Sequence, residues 1–390
     1  MVEILSVFGT RPEAIKMAPL LAALDRRREH VSSRVCVTAQ HREMLDQVLE
    51  VFGIAPDVDL NIMTRDQSPS MVTGSVLESM DGVLSDRPPD LVLVHGDTTT
   101  TMAASLAAFY HKIPVGHVEA GLRTGCRYYP FPEEMNRVVT DAVATLHFAP
   151  TATAAANLEA AGVSADSITV TGNTVIDALL DVAGRQYDEP LPVPTDKRIV
   201  LVTAHRRENH GEPLERICKA LRDVADAFPD VRIVYPVHLN PNVQRVARYV
   251  LGGHDRILLL EPLSYVPFVR IMKECAVVVT DSGGMQEEAP SLGKPVLVLR
   301  NETERPEAVD AGTVRLVGTS RETIFDSLSS LLSDAEAYDA MAAAVNPYGD
   351  GRASERIADA IAREFDVPGA HAPAPFEPEV ESRTGRGSGG

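Results

Sequence analysis

Ionisable residues gather where short apolar runs end. Asp97 closes Leu91-Val92-Leu93-Val94-His95-Gly96-Asp97, Glu119 closes Val115-Gly116-His117-Val118-Glu119, and His205 follows the run from Ile199 to Thr203. Each alone would serve as readily as a cap or a structural partner. Three such groups at the ends of buried strands suit acid and base work on one ligand. Glu133 and Glu134, in Pro132-Glu133-Glu134-Met135-Asn136-Arg137, begin a predicted helix. Carboxylates there also complement the helix dipole, so position alone does not assign them chemistry.

Two further segments have the composition of phosphate seats. The first apolar run ends at Gly9, and Thr10-Arg11-Pro12-Glu13 opens a helix with Thr10 as N-cap and Pro12 at the first helical position. Lys16 follows about one turn later. Backbone N–H groups at that helix start, with Arg11 and Lys16, could receive a phosphate; an ordinary first turn with two solvated cations is an equal reading. The second segment is Asp281-Ser282-Gly283-Gly284, placed after the run Ala276 to Thr280 and before Gln286-Glu287-Glu288. Paired glycines let a diphosphate approach the backbone, where a helix start adds positive potential. Glu288 could accept bonds from a ribose diol, although a solvated helix carboxylate is the plainer account.

The elements that must position these groups are visible as buried β-branched runs: Ile4 to Phe8, Val35 to Thr38, Leu91 to Val94, Ile199 to Val202, Arg232 to Tyr235, Ala276 to Val279 and Val296 to Leu299. Runs without polar alternation belong to strands covered on both faces. Between them lie helical periods, as from Arg42, where Met44, Leu45, Val48, Leu49 and Phe52 share one face. Strand and helix in alternation predict an α/β fold of two Rossmann-like, doubly wound domains with a cleft between them. The expected boundaries are residues 1–183, a proline-rich linker 184–197, a second domain 198–351, and a helix 352–366 that could pack back on the first domain. Residues 367–390, rich in Pro, Gly, Ser and Ala, read as a disordered tail.

Composition narrows the function. Hydrophobic residues make up 44% and charged residues 24% of 390, a soluble enzyme's balance. The net charge of −18 repels nucleic acid and anionic membranes, so neither is an expected partner. Only six of the 37 basic residues are lysine, a pattern that fits a host with high internal salt. No membrane span or leader is evident, which gives a cytoplasmic reading. Cys36, Cys126, Cys218 and Cys275 form no CxxC pair. GxGxxG after the first strand, GxxxxGK[ST], HExxH and GxSxG are all missing, so dinucleotide, P-loop, zinc-protease and serine-hydrolase chemistry lose their signatures. His205 and His238 fall on separate strand ends without companion ligands, and no metal site is expected.

Ten blocks taken in order resemble the non-hydrolysing UDP-N-acetylglucosamine 2-epimerase family. They are Val7-Phe8-Gly9-Thr10-Arg11-Pro12-Glu13, Thr38-Ala39-Gln40-His41-Arg42, His95-Gly96-Asp97-Thr98-Thr99, Gly116 to Arg123, Pro132-Glu133-Glu134, Gly172-Asn173-Thr174, His205-Arg206-Arg207-Glu208-Asn209, Pro236-Val237-His238-Leu239-Asn240, Asp281-Ser282-Gly283-Gly284 and Thr303-Glu304-Arg305-Pro306-Glu307. The resemblance implies a glycosyltransferase-B-like homodimer, with UDP held mainly by the second domain. It implies interconversion of UDP-N-acetylglucosamine and UDP-N-acetylmannosamine with neither NAD nor a metal as cofactor. Asp97, Glu119, Glu133 and His205 match the family's catalytic positions. Arg11, Lys16, Phe268, Ser282, Gly283, Gly284, Glu288 and Arg305 match substrate-binding ones. Gln40, Gln47, Glu134, Arg206 and His238 resemble positions that hold a second UDP-N-acetylglucosamine as activator. A glycosyltransferase of the same architecture, an epimerase for a diacetamido sugar nucleotide and a silent sugar-nucleotide sensor are the competing readings.

Overall fold

The computed structural model describes residues 1–38, 42–62, 67–376 and 378, the side chains of residues 42 and 43 excepted. Its contacts divide the chain into one unit of Met1–Ala178 with Tyr348–Phe376, and a second that begins at Leu179 and runs to Pro347.

In the first unit the chain runs β1 (Val2–Phe8), α1 (Arg11–Asp25), β2 (Val31–Val37), α2 (Arg42–Phe52), β3 (Val58–Asp59), α3 (Pro69–Asp86), β4 (Leu91–His95) and α4 (Thr99–Tyr110). It continues through β5 (Val115–Val118), α5 (Glu133–Val143), β6 (Leu146–Ala149), α6 (Ala152–Ala160) and β7 (Ile168–Val170) to α7 (Thr174–Gly184), inside which the division falls. The strands form one sheet in the order β3-β2-β1-β4-β5-β6-β7, and every pair is parallel. Ile4, Leu5, Val7 and Phe8 of β1 and all of Leu91 to Val94 of β4 are wholly inaccessible, as central strands covered by helices on both faces must be. The order reverses between β1 and β4, so the loops after these two strands diverge and leave a crevice at the carboxyl edge.

The second unit repeats the plan. Strands β8 (Arg198–Thr203), β9 (Val231–Pro236), β10 (Ile257–Leu260), β11 (Val277–Thr280), β12 (Val296–Val298) and β13 (Val314–Leu316) form a parallel sheet in the order β10-β9-β8-β11-β12-β13. Helices α8 (Glu212–Ala227), α9 (Pro241–Leu251), α10 (Tyr265–Glu274), α11 (Gly283–Glu288), α12 (Pro306–Asp310), α13 (Arg321–Ser333) and α14 (Ala335–Ala342) follow in sequence. Here the reversal lies between β8 and β11. Leu214, Ile217, Leu221 and Val224 of α8 pack with Val200, Val202, Ile233 and Val279 in one core.

After Tyr348 the chain belongs again to the first unit, where α15 (Ala353–Glu364) packs on α1. Asp177 of α7 receives the backbone N–H groups of Ala353 (3.2 Å) and Ser354 (2.7 Å), capping the helix from outside. Arg26 pairs with Glu355, and Arg27 reaches both Glu355 (3.1 Å) and Asp359 (2.5 Å).

The structure modifies three expectations. Pro12 is the second helical residue, because α1 begins at Arg11; its missing N–H is equally harmless there. Strands β3, β6, β7, β10 and β13 are not among the runs read from the sequence. They are short and lie outside the central pairs; β6 and β13 carry His147 and Arg315, whereas β10 is a four-residue apolar run, Ile257 to Leu260, which periodicity cannot tell from a buried helix turn. Residues 367–376 do not begin a disordered tail: Val367 and Phe376 are buried, and the Arg356 guanidinium stacks 5.2 Å from the Phe376 ring while its Nε donates to Ala374 O (2.9 Å). A cation with an apolar stem organises this proline-rich segment where composition alone suggests none. Most of the remaining tail lies outside the described residues.

Candidate functional site

In the first unit, Lys16, Asp97 and Glu119 lie at the β1/β4 reversal and the adjoining end of β5. Thr10 caps α1, and Glu13 completes a capping box, its Oε2 accepting from Gly9 N (3.1 Å) and Thr10 N (2.7 Å). The other oxygen of Glu13 accepts from Thr98 Oγ1 (2.7 Å) and Thr101 Oγ1 (3.2 Å), beyond the end of β4. One buried carboxyl thus binds the Arg11 loop to the Asp97 loop. Burial raises its pKa above the ordinary value, against the pull of those donors.

Glu119 follows β5 with φ +65°, a left-handed conformation that few residues other than glycine adopt. Lys16 Nζ pairs with its Oε2, Asn173 Nδ2 donates to the same oxygen at 2.9 Å, and His95 Nε2 stands 3.9 Å away. A Cβ on Gly96 would sit 3.7 Å from Glu119 Oε1, so this carboxylate faces the turn that carries Asp97. His95 is pushed down to about 3 by burial, outweighing the Glu119 charge, and stays neutral.

Asp97 is gripped from α5. Arg137 Nε (3.0 Å) and Nη2 (2.5 Å) both donate to Asp97 Oδ2, and Asn136 Nδ2 donates to its carbonyl at 2.9 Å. Those bonds also fix the helix start that presents the half-buried Glu133. Glu134, beside it, is buried and accepts from Thr124 N (3.1 Å), Gly125 N (3.0 Å) and Arg137 Nη1 (3.0 Å). Gln47 is exposed on α2, and Gln40 lies outside the described residues.

In the second unit the β8/β11 reversal is organised by Asp281. This fully buried carboxylate accepts from His205 N (2.9 Å), Arg206 N (2.9 Å) and Asn209 Nδ2 (2.9 Å). It thereby sets the direction of the loop after β8. The His205 ring stacks on His238, centroids 5.4 Å apart, and burial shifts His205 downward against the attraction of Asp281. Arg206 reaches Glu304 at 3.7 Å.

Ser282 precedes α11 without a side-chain capping bond, and Gly283 and Gly284 form the first turn. A Cβ on Gly283 would stand 3.2 Å from Arg305 Cζ and 3.3 Å from its Nη1, so the guanidinium lies directly over the helix start. Its Nε donates to Glu287 at 2.7 Å. A Cβ on Gly284 would meet Glu288 Oε1 at 3.2 Å, which places that carboxylate above the same turn. Backbone N–H groups, an arginine and a carboxylate at one glycine-lined surface can receive a diphosphate with its ribose. Phe268, partly exposed in the first turn of α10, lies beyond the end of β10 at the same edge of the sheet.

Sequence reasoning overlooked Glu13, His95, Arg137 and Asn173 as functional supports. The Thr10-x-x-Glu13 spacing carried a capping-box signal, whereas the others depend on contacts between separate elements, as between Arg137 and Asp97, 40 residues apart. Among the described residues, no group of three or more His, Cys, Asp or Glu is arranged to hold a metal ion.

Two doubly wound α/β units, each with charged groups and glycines at its strand reversal, make this a protein of the glycosyltransferase-B-like fold class. A family profile described as UDP-N-acetylglucosamine 2-epimerase matches residues 23–362, and the chain belongs to that family. It is 54% identical over 369 residues to the UDP-N-acetylglucosamine 2-epimerase of Escherichia coli K12, covering 92% of this chain and 98% of the relative. The crystal structure of UDP-GlcNAc 2-epimerase from Neisseria meningitidis bound to UDP-GlcNAc superposes with a TM-score of 0.83 at 50% identity, covering 93% and 100% of the two chains. The Methanocaldococcus jannaschii UDP-GlcNAc 2-epimerase in complex with UDP-GlcNAc and UDP gives 0.74 at 32% identity, covering 93% and 100%.

Proposed function

We propose that this chain reversibly epimerises UDP-N-acetylglucosamine to UDP-N-acetylmannosamine by eliminating and readding UDP. The hydrogen on carbon 2 of the sugar has no adjacent carbonyl to acidify it, so direct deprotonation is too costly. Breaking the anomeric C–O bond first gives carbon 1 oxocarbenium character, which acidifies the hydrogen on carbon 2. UDP then departs with the bonding electron pair, a carboxylate takes the carbon-2 proton, and 2-acetamidoglucal remains. Readdition of UDP with protonation from the opposite face inverts the centre. Electrons are neither gained nor lost overall, and the route calls for no NAD.

Gly283, Gly284 and Arg305 supply the seat in which negative charge develops on the diphosphate, with Arg11 and Lys16 as further cations. Ser282, Glu288 and Phe268 hold the rest of the nucleotide. Asp97, Glu119 and Glu133 transfer protons, and His205 bonds phosphate or assists the transfer. The observation that carries the reading is the carboxylate of Glu119, held on a positive-φ residue by Lys16 and Asn173 beside the Asp97 turn. A positive φ on a glutamate costs about 1–3 kcal/mol, which the surrounding contacts must offset. Among the described residues no helix is long and apolar enough to cross a membrane. We further propose a homodimer, and a second UDP-N-acetylglucosamine held as activator by Arg206 and His238 with Gln40, Gln47 and Glu134.

An NMR time course with purified protein and UDP-N-acetylglucosamine alone in deuterated water tests the proposal. UDP-N-acetylmannosamine should appear with deuterium at carbon 2. Product that keeps its original hydrogen excludes the elimination route, and a requirement for an acceptor would favour a glycosyltransferase.

A further inference from the structure

Behind the turn that carries Asp97 lies a buried polar cluster that the proposed reaction does not use. His117 of β5 is wholly inaccessible. Its Nε2 stands 2.7 Å from the carbonyl oxygen of Gly96, and its Nδ1 stands 2.5 Å from Asp141 Oδ1. Arg123 Nη2 occupies the other Asp141 oxygen at 2.6 Å. A carbonyl oxygen cannot donate a hydrogen bond, and an ionised carboxylate cannot either. Both contacts therefore require hydrogen on the histidine ring.

Burial alone would raise the Asp141 carboxyl, but the charges of His117 and Arg123 outweigh it and hold Asp141 at about 2. His117 is flanked by two more buried histidines, His95 on β4 and His147 in register on β6. Burial pushes both downward, His95 to about 3. His147 Nε2 faces the Asp141 carbonyl at 3.1 Å and its Nδ1 faces the Ser167 hydroxyl at 3.5 Å, a pattern one neutral tautomer satisfies. Glu119, two residues along from His117, is paired with Lys16.

We propose that His117 is a positioning residue, a buried imidazolium clamped between Asp141 and the Gly96 carbonyl that fixes the backbone turn presenting Asp97. Gly96 has φ +68°, and its N–H donates to Val118 O at 2.9 Å. Both backbone polar groups of Gly96 are thus held by β5. Arg137 aims the Asp97 carboxylate and Asn136 holds its carbonyl, so His117 governs the part of the turn that α5 does not reach. A reacting group displaced by about 1 Å loses on the order of 100-fold in rate. The kinetic arm of the inference rests on the proposed reaction; the protonation arm does not.

Neutron diffraction from wild-type crystals should show deuterium on both ring nitrogens of His117, one shared with Asp141 and one with the Gly96 carbonyl. A bare nitrogen overturns the proposal. The variant His117→Gln should lose on the order of 100-fold in kcat while KM stays within about threefold and UDP affinity is unchanged. A wild-type kcat, or a loss carried entirely by KM, overturns it. Should the wild-type protein show no epimerisation, the functional reading fails, and the neutron result still decides the state of His117.

Discussion

Replacing Arg305 by alanine separates the nucleotide seat from the proton-transfer residues. The guanidinium covers the α11 start, with Nη1 3.3 Å from where a Gly283 Cβ would lie and Nε committed to Glu287 at 2.7 Å. Its side chain is 24% exposed, so a bond to the diphosphate would form in partly desolvated surroundings. Losing one charge-assisted hydrogen bond there costs about 1.5–3 kcal/mol, or roughly a 10- to 150-fold weaker Kd for UDP. A second effect adds to the first. Glu287, 6% exposed, loses the guanidinium contact, and its charge then opposes the incoming diphosphate. Adding Glu287→Gln to Arg305→Ala should therefore recover part of the loss, with a coupling of roughly 0.5–3 kcal/mol. Calorimetric titration with UDP measures all four forms of the cycle, and Asp97→Asn serves as a control whose UDP affinity should not change. An Arg305→Ala protein that binds UDP within about twofold of wild type would refute the seat, since that is the resolution of such comparisons.

Three other outcomes follow from the same contacts. Asp141 is held at about 2 in the fold against roughly 3.9 in an unfolded chain, so the folded state binds fewer protons between those values. Its contribution, on the order of 2–3 kcal/mol, is complete above about pH 4 and fades as pH falls toward 2; urea unfolding should show the gap between wild type and Asp141→Asn closing across that window. Gly121→Ala would place a Cβ 2.2 Å from the Ala154 carbonyl at φ +86°, whereas Gly53→Ala meets nothing at φ +64°. The first should cost about 3 kcal/mol and the second about 1, read as midpoints in urea; equal losses would mean that backbone strain, not the clash, dominates. With a net charge of −18 and few lysines, the melting temperature should rise with molar potassium chloride, and a flat response would remove the idea of a high-salt host.

The central strands were legible because a parallel sheet covered on both faces needs unbroken apolar runs, and β1, β4, β8 and β11 supply them. Their carboxyl ends were legible with them, which is why Asp97 after β4, His205 after β8 and Gly283 after β11 could be named, with Glu119 at the end of the neighbouring β5. The peripheral strands β3, β6, β7, β10 and β13 were not, because segments of two to four residues, polar as in β6 or apolar as in β10, can pair once the central sheet offers a template. Resemblance supplied the chemistry that spacing alone left open. Only the tertiary structure decided which neighbour each charged group takes: Lys16 and Asn173 for Glu119, Arg137 for Asp97, Asp281 for the backbone of His205, and His117 for Gly96. Periodicity places a side chain on a strand or helix, but a hydrogen bond is set by distances of a few tenths of an ångström between elements far apart in the chain. Those distances exist only after the sheets and helices have packed.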